Sequence, residues 1–154
     1  MIHLRKDLVT SDEAEFTETT EQALQLSREK WEAVVYGLFS GDDSMANVAA
    51  HAGIQSGNCA LCQRFNGYLI HPGILEIRGN ACGGCPLDPN PGACGVGCIR
   101  NPFVAFEIKV NTDDWRVLDL QPLALNMLNY INKVSGIPEI TVEQITEFVT
   151  AQKA

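Results

Sequence analysis

The chain has 154 residues, a net charge of −8, 45% hydrophobic residues and six cysteines. That length suits one domain, and the apolar content suits a packed core rather than a disordered chain. No apolar run approaches the eighteen residues a membrane span needs, and the start (Met1-Ile2-His3-Leu4-Arg5-Lys6-Asp7) lacks the apolar segment of a secretory signal. The expected setting is therefore the reducing cytoplasm, where clustered cysteines favour metal over disulfide.

In chain order, residues 1–18 are polar and acidic and are expected to form a loosely held, flexible arm. Residues 19–154 are expected to form a single helical domain with a Cys-rich metal module at 56–103. The first predicted helix covers 20–38, capped by Thr19 or Thr20. Ala23, Leu24, Leu26, Trp31, Val34, Val35 and Leu38 give it one apolar face, while Glu29, Lys30 and Glu32 are assigned to water. A short second helix is expected over 44–52, with His51 read as a surface or capping histidine.

All six cysteines fall between Cys59 and Cys98. Cys59 and Cys62, then Cys82 and Cys85, form two C-x2-C pairs with nineteen residues between them. Each pair can turn two thiolates toward one point, and two pairs complete a tetrahedron around Zn2+. The intervening runs 68–70 and 74–77, separated by His71-Pro72-Gly73, predict a β-hairpin that returns the second pair to the first. The fold class expected is α+β, mainly helical, with a zinc-ribbon-like Cys-rich module inserted between helices. A four-thiolate zinc is closed to water and substrate, so its role is structural. An iron–sulfur cluster uses the same ligand type and stays the alternative cofactor. Residues 86–98 hold three prolines and three glycines and read as irregular loop. They are no phosphate loop, since no Lys-Ser or Lys-Thr follows.

Asn101-Pro102 reads as a helix start, with a strand as the alternative through the β-branched and aromatic run that follows. Pro122 is expected to break any single helix there. A helix is predicted over 123–134, ended by Gly136 and Pro138. The last begins at a capping box, Thr141-Val142-Glu143-Gln144, and buries Ile145, Phe148 and Val149.

Four motifs together resemble a family of uncharacterised small phage and prophage proteins. They are Ser27-Arg28-Glu29-Lys30-Trp31-Glu32, Cys59-Ala60-Leu61-Cys62, Cys82-Gly83-Gly84-Cys85-Pro86-Leu87 and Cys98-Ile99-Arg100-Asn101-Pro102-Phe103. The resemblance covers roughly residues 24–106 and implies a phage or bacterial source and no particular activity. It adds Cys98 as a fifth cysteine, which either replaces one of the four ligands or is a buried thiol. Cys94 is additional to the family pattern. Cys94 and Cys98 could also join a second, weaker site.

Charge is unevenly placed. Residues 1–55 carry net −6, residues 56–103 net +1 and residues 104–154 net −3. The first functional expectation is a non-enzymatic module that docks on a protein partner. A nucleic-acid-binding ribbon is the second, weakened because the module offers only Arg64, Arg78 and Arg100 for phosphates. The third is an iron–sulfur or thiol redox protein using Cys94 or Cys98, although nothing in the sequence sets a low thiol pKa. An enzyme stays open on His51, His71, Asp88, Cys94 and Cys98 as candidate groups, but no nucleophile–base pair is readable and each is more simply read as a surface or loop residue.

Overall fold

The computed structural model describes residues 1–55, 57–65, 85–87 and 102–154. Among them lie seven helices and no strand: α1 (Ser11–Glu15), α2 (Thr20–Phe39), α3 (Asp43–Gly53), α4 (Ala60–Phe65), α5 (Pro102–Asn111), α6 (Val117–Val134) and α7 (Val142–Lys153). The mainly helical expectation is met. The predicted hairpin lies outside the described residues. No described helix is long and apolar enough to cross a membrane.

α2 is the central element, packed against α3, α4, α6 and α7. Its start is fixed by a capping box, in which Gln22 N donates to Thr19 Oγ1 and Thr19 N to Gln22 Oε1, both at 3.1 Å. Val34 and Val35 are fully buried, with Ala23 and Leu38 beside them in the core. Gly37 lets α3 come close, because a Cβ there would lie 2.7 Å from Ala49 Cβ. α6 closes the core from the other side with Leu120, Ala124, Leu128 and Ile131.

Three expectations need correction. Pro122 does not break the helix, since α6 runs unbroken from Val117. Its ring removes one backbone bond, to the carbonyl of Leu118. Leu118 is exposed, while Leu120 and Ala124 on either side of the proline are fully buried. Core burial on both sides outweighs that single bond. Residues 1–18 are docked rather than loose. Leu4 is fully buried, Val9 and Ala14 nearly so. Thr10 and Glu13 form a capping box that starts α1. Arg5 donates twice to the Glu13 carboxylate at 3.0 Å. At the far end, the His3 ring meets Phe148 edge-on and Lys6 Nζ donates to Gln152 Oε1 at 2.9 Å. Lastly, Lys30 and Glu32 of α2 do not face water, being 2% and 6% exposed.

α5 takes the helical alternative, with Phe106 and Val110, four residues apart on one face, buried. Between α6 and α7, Asn129 brackets the connection: its Nδ2 donates to Ile140 O at 2.9 Å and its Oδ1 accepts from Ile140 N at 2.8 Å. Gly136 ends α6 in the left-handed region, with φ +73°. The predicted Thr141–Gln144 box is present and starts α7.

Candidate metal centre and its seat

The first cysteine pair sits at the start of α4. Gln63 N donates to Cys59 O at 2.9 Å, so Cys59 is the residue from which the helix begins. Cys62 follows in the first turn of α4. A six-residue helix does not hold itself together in water. α4 is held by its neighbours: Ala60 is fully buried and Leu61 is 2% exposed. Leu61 N reaches Ser27 Oγ of α2 at 3.4 Å. Arg64 ties the far end to the start of α2, through Nε to Thr20 Oγ1 at 3.2 Å and Nη1 to Glu18 O at 3.1 Å. α1 packs against the same helix.

The second pair is represented by Cys85, which is buried and belongs to the main core cluster. Cys59, half-buried, packs against that cluster. Leu87, two residues after Cys85, is buried as well, and its carbonyl accepts from Tyr130 Oη of α6 at 3.0 Å. The first thiol of one pair and the last thiol of the other are thus both seated on the core of the helical body.

Cys82, Cys94, Cys98, His71 and Asp88 lie outside the described residues, as does the side chain of Cys62. Among the described residues no group of three or more His, Cys, Asp or Glu is placed to hold a metal ion. His51 is exposed on α3, its ring edge-on to Trp115 at 6.3 Å. This matches the reading of a surface histidine.

α2 also buries three polar side chains, of which Ser27 meets α4. Ser27, Lys30 and Glu32 are all buried. Lys30 Nζ donates to Gln55 O at 2.9 Å and lies 5.7 Å from the Trp31 ring centroid. Trp31 takes Phe103 and Phe106 of α5 edge-on, at 6.3 and 5.1 Å. Its ring also lies 3.5 Å from where a Cβ on Gly53 would stand. Glu32 accepts from Arg28 Nη1 at 2.9 Å and from Arg5 N at 3.0 Å. Burial pushes the Glu32 carboxyl above its ordinary value of 4.5, against the opposing pull of the Arg5 amide and the Arg28 charge. Asn58, next to Cys59, is buried; its Nδ2 donates to Ala52 O at 3.3 Å while its Oδ1 has no hydrogen-bond partner among the described residues. An unsatisfied buried acceptor costs about 1–3 kcal/mol.

One short stretch of α2 therefore reaches both borders of the cysteine region. Ser27 meets α4 before it, and Trp31 meets α5 after it. The sequence carried part of this signal, because Ser27 and Trp31 are four residues apart and share a helix face. No protein-family model, no curated protein and no solved structure matches the chain.

Proposed function

We propose that the chain is a zinc protein in which Cys59, Cys62, Cys82 and Cys85 hold one structural ion, and that the loaded module is offered to a protein partner. The observation that carries this reading is the doubled C-x2-C pattern together with the seating of Cys59 and Cys85 on one core cluster. Thiolates are the donors that zinc prefers in closed sites. Zinc would draw the two pairs to one point and supply the folding energy that a Gly- and Pro-rich segment does not gain from apolar burial. The protein's own residues hold the approach: Ser27 and Arg64 fix α4, and Tyr130 fixes the chain beyond Cys85. The module's net charge of +1 sets it apart from the acidic sequence on either side. A partner that recognises it would meet a surface unlike the rest of the chain.

Metal content of the purified chain tests the centre. One zinc per chain, kept in both Cys94→Ser and Cys98→Ser, is the expected result. Loss of zinc in Cys98→Ser alone would change the ligand set. A brown protein with the broad visible absorption of a thiolate-bound cluster would replace zinc with iron–sulfur. The interaction is tested by affinity capture at physiological salt, with the zinc-stripped chain as control. Recovery of the same proteins with and without zinc would remove the module from the interaction.

A further inference from the structure

We propose that the groove between residues 6–10 and α3 docks an extended segment of a protein partner, one in which apolar and basic residues alternate. The groove consists of two clefts that share Leu8 on one wall and Val48 on the other. The first, of about 250 Å³, is lined by Lys6, Asp7 and Leu8 and by Ser44 and Met45 at the start of α3. The second, of about 400 Å³, is lined by Val9 and Thr10 and by His51 and Asn58. Met45, Val48 and Ala52 follow one another at steps of three and four residues, so they form one stripe along the α3 wall. Met45 is 41% exposed and Val48 54%. The groove therefore carries apolar surface that the fold does not cover, and such surface beside a cleft marks an interaction site.

Three observations select the occupant. The wall opposite α3 is chain without helix or strand, and the amides of Leu8 and Val9 bond to no described residue. Backbone groups left in this way are what an incoming extended chain pairs with. In the second cleft, Asn58 is 5% exposed and its Oδ1 bonds to no described residue, so a backbone N–H delivered there would supply a missing donor. In the first cleft the charge is acidic. Asp7 lines it, and Asp42 and Asp43 stand at the start of α3. Lys6, which lines it too, gives its ammonium to Gln152 Oε1. An extended peptide points alternate side chains to one face, so apolar residues at every second position would lie on Met45 and Val48. Basic residues between them would meet the aspartates and the net charge of −6 on residues 1–55. Docking here needs no metal, so it stands or falls separately from the zinc reading.

The test uses the full chain and a fluorescein-labelled heptapeptide of alternating lysine and valine, followed by anisotropy at physiological salt. A heptapeptide of alternating lysine and serine is the control for charge alone. Saturable binding of the valine peptide, and at least tenfold weaker binding of the serine peptide, is expected. Val48→Gln places a helix-forming polar residue at an exposed position, where substitution leaves the fold intact. It should weaken the valine peptide about tenfold, the loss usual for a residue that anchors an interface. NMR of the wild-type chain should place the peptide-induced amide shifts at residues 7–10 and 45–52. Equal binding of the two peptides, no binding of either, or shifts confined to other residues overturns the proposal. Shifts of the same amides with protein concentration alone would give the groove to a second copy of the chain and overturn it as well.

Discussion

Replacing Gly37 with alanine sets two opposing effects against each other. In a helix interior, Gly→Ala normally stabilises by about 1 kcal/mol through backbone entropy. At this position the added Cβ would stand 2.7 Å from Ala49 Cβ and 3.3 Å from Met45 O. Neither neighbour is the end of a flexible side chain, so the clash is relieved only by moving α3. Restoring ordinary carbon–carbon contact at about 3.5–4.0 Å requires a shift of roughly 1 Å. That shift would loosen Ala46, Ala49 and Ala50, all of them buried. Overpacking of this kind costs about 1–3 kcal/mol. The steric cost should exceed the entropic gain, leaving a net loss on the order of 1 kcal/mol. For a chain of this size that corresponds to a fall in Tm of about 2–4 °C. Thermal and urea unfolding measure it directly. The double variant Gly37→Ala/Ala49→Gly removes the Cβ–Cβ clash and should recover part of the loss. A Gly37→Ala chain as stable as wild type, or more so, would falsify the close-approach argument.

Glu32→Gln removes a carboxylate whose pKa burial has raised. A raised folded-state pKa favours the fold below the unfolded value of about 4.5 and loses that advantage as pH rises. Wild type should therefore lose stability relative to Glu32→Gln from acid to neutral pH, and a gap in the opposite sense across a pH series of urea melts would refute this. Glu13 behaves oppositely. Its backbone bond from Thr10, followed by the side-chain bond and charge of Arg5, holds its pKa below the ordinary value. The advantage of wild type over Glu13→Gln should be present at neutral pH and disappear as pH falls through that lowered pKa, as unfolding across the same series can report. Tyr130→Phe deletes the hydroxyl that donates to Leu87 O. A loss of about 0.5–1.5 kcal/mol is expected, together with faster labelling of Cys85 by a thiol reagent; unchanged labelling would mean that Tyr130 does not hold that segment.

Most of the helical frame was readable because its signals are local. The cap at Thr19 or Thr20, the box at Thr141, the stop at Gly136 and the apolar face of α2 each depend on residues within a turn or two of one another. The errors came where distant parts of the chain decide the outcome. Lys30 and Glu32 fall on the polar side of the period, yet Gln55, Arg5 and Arg28 give them partners in the interior. No nearby residue announces that Leu4 will be buried. Pro122 is a helix breaker by local rules and is overruled by Leu120 and Ala124. For the candidate centre, spacing alone named both cysteine pairs. What spacing does not carry is the support behind them, since Ser27 and Tyr130 lie far from the cysteines in sequence.

The contacts of His3 with Phe148 and of Lys6 with Gln152 have a consequence for the order in which the protein assembles. The segment around residues 3–6 reaches its final contacts only after residues 148–152 have been synthesised. Until then the growing chain exposes the part of α2 that α7 later covers. Such long-range closure is a late step in folding and slows it relative to a bundle of local hairpins. During synthesis, the nascent protein thus carries an open apolar seam that is sealed when α7 emerges.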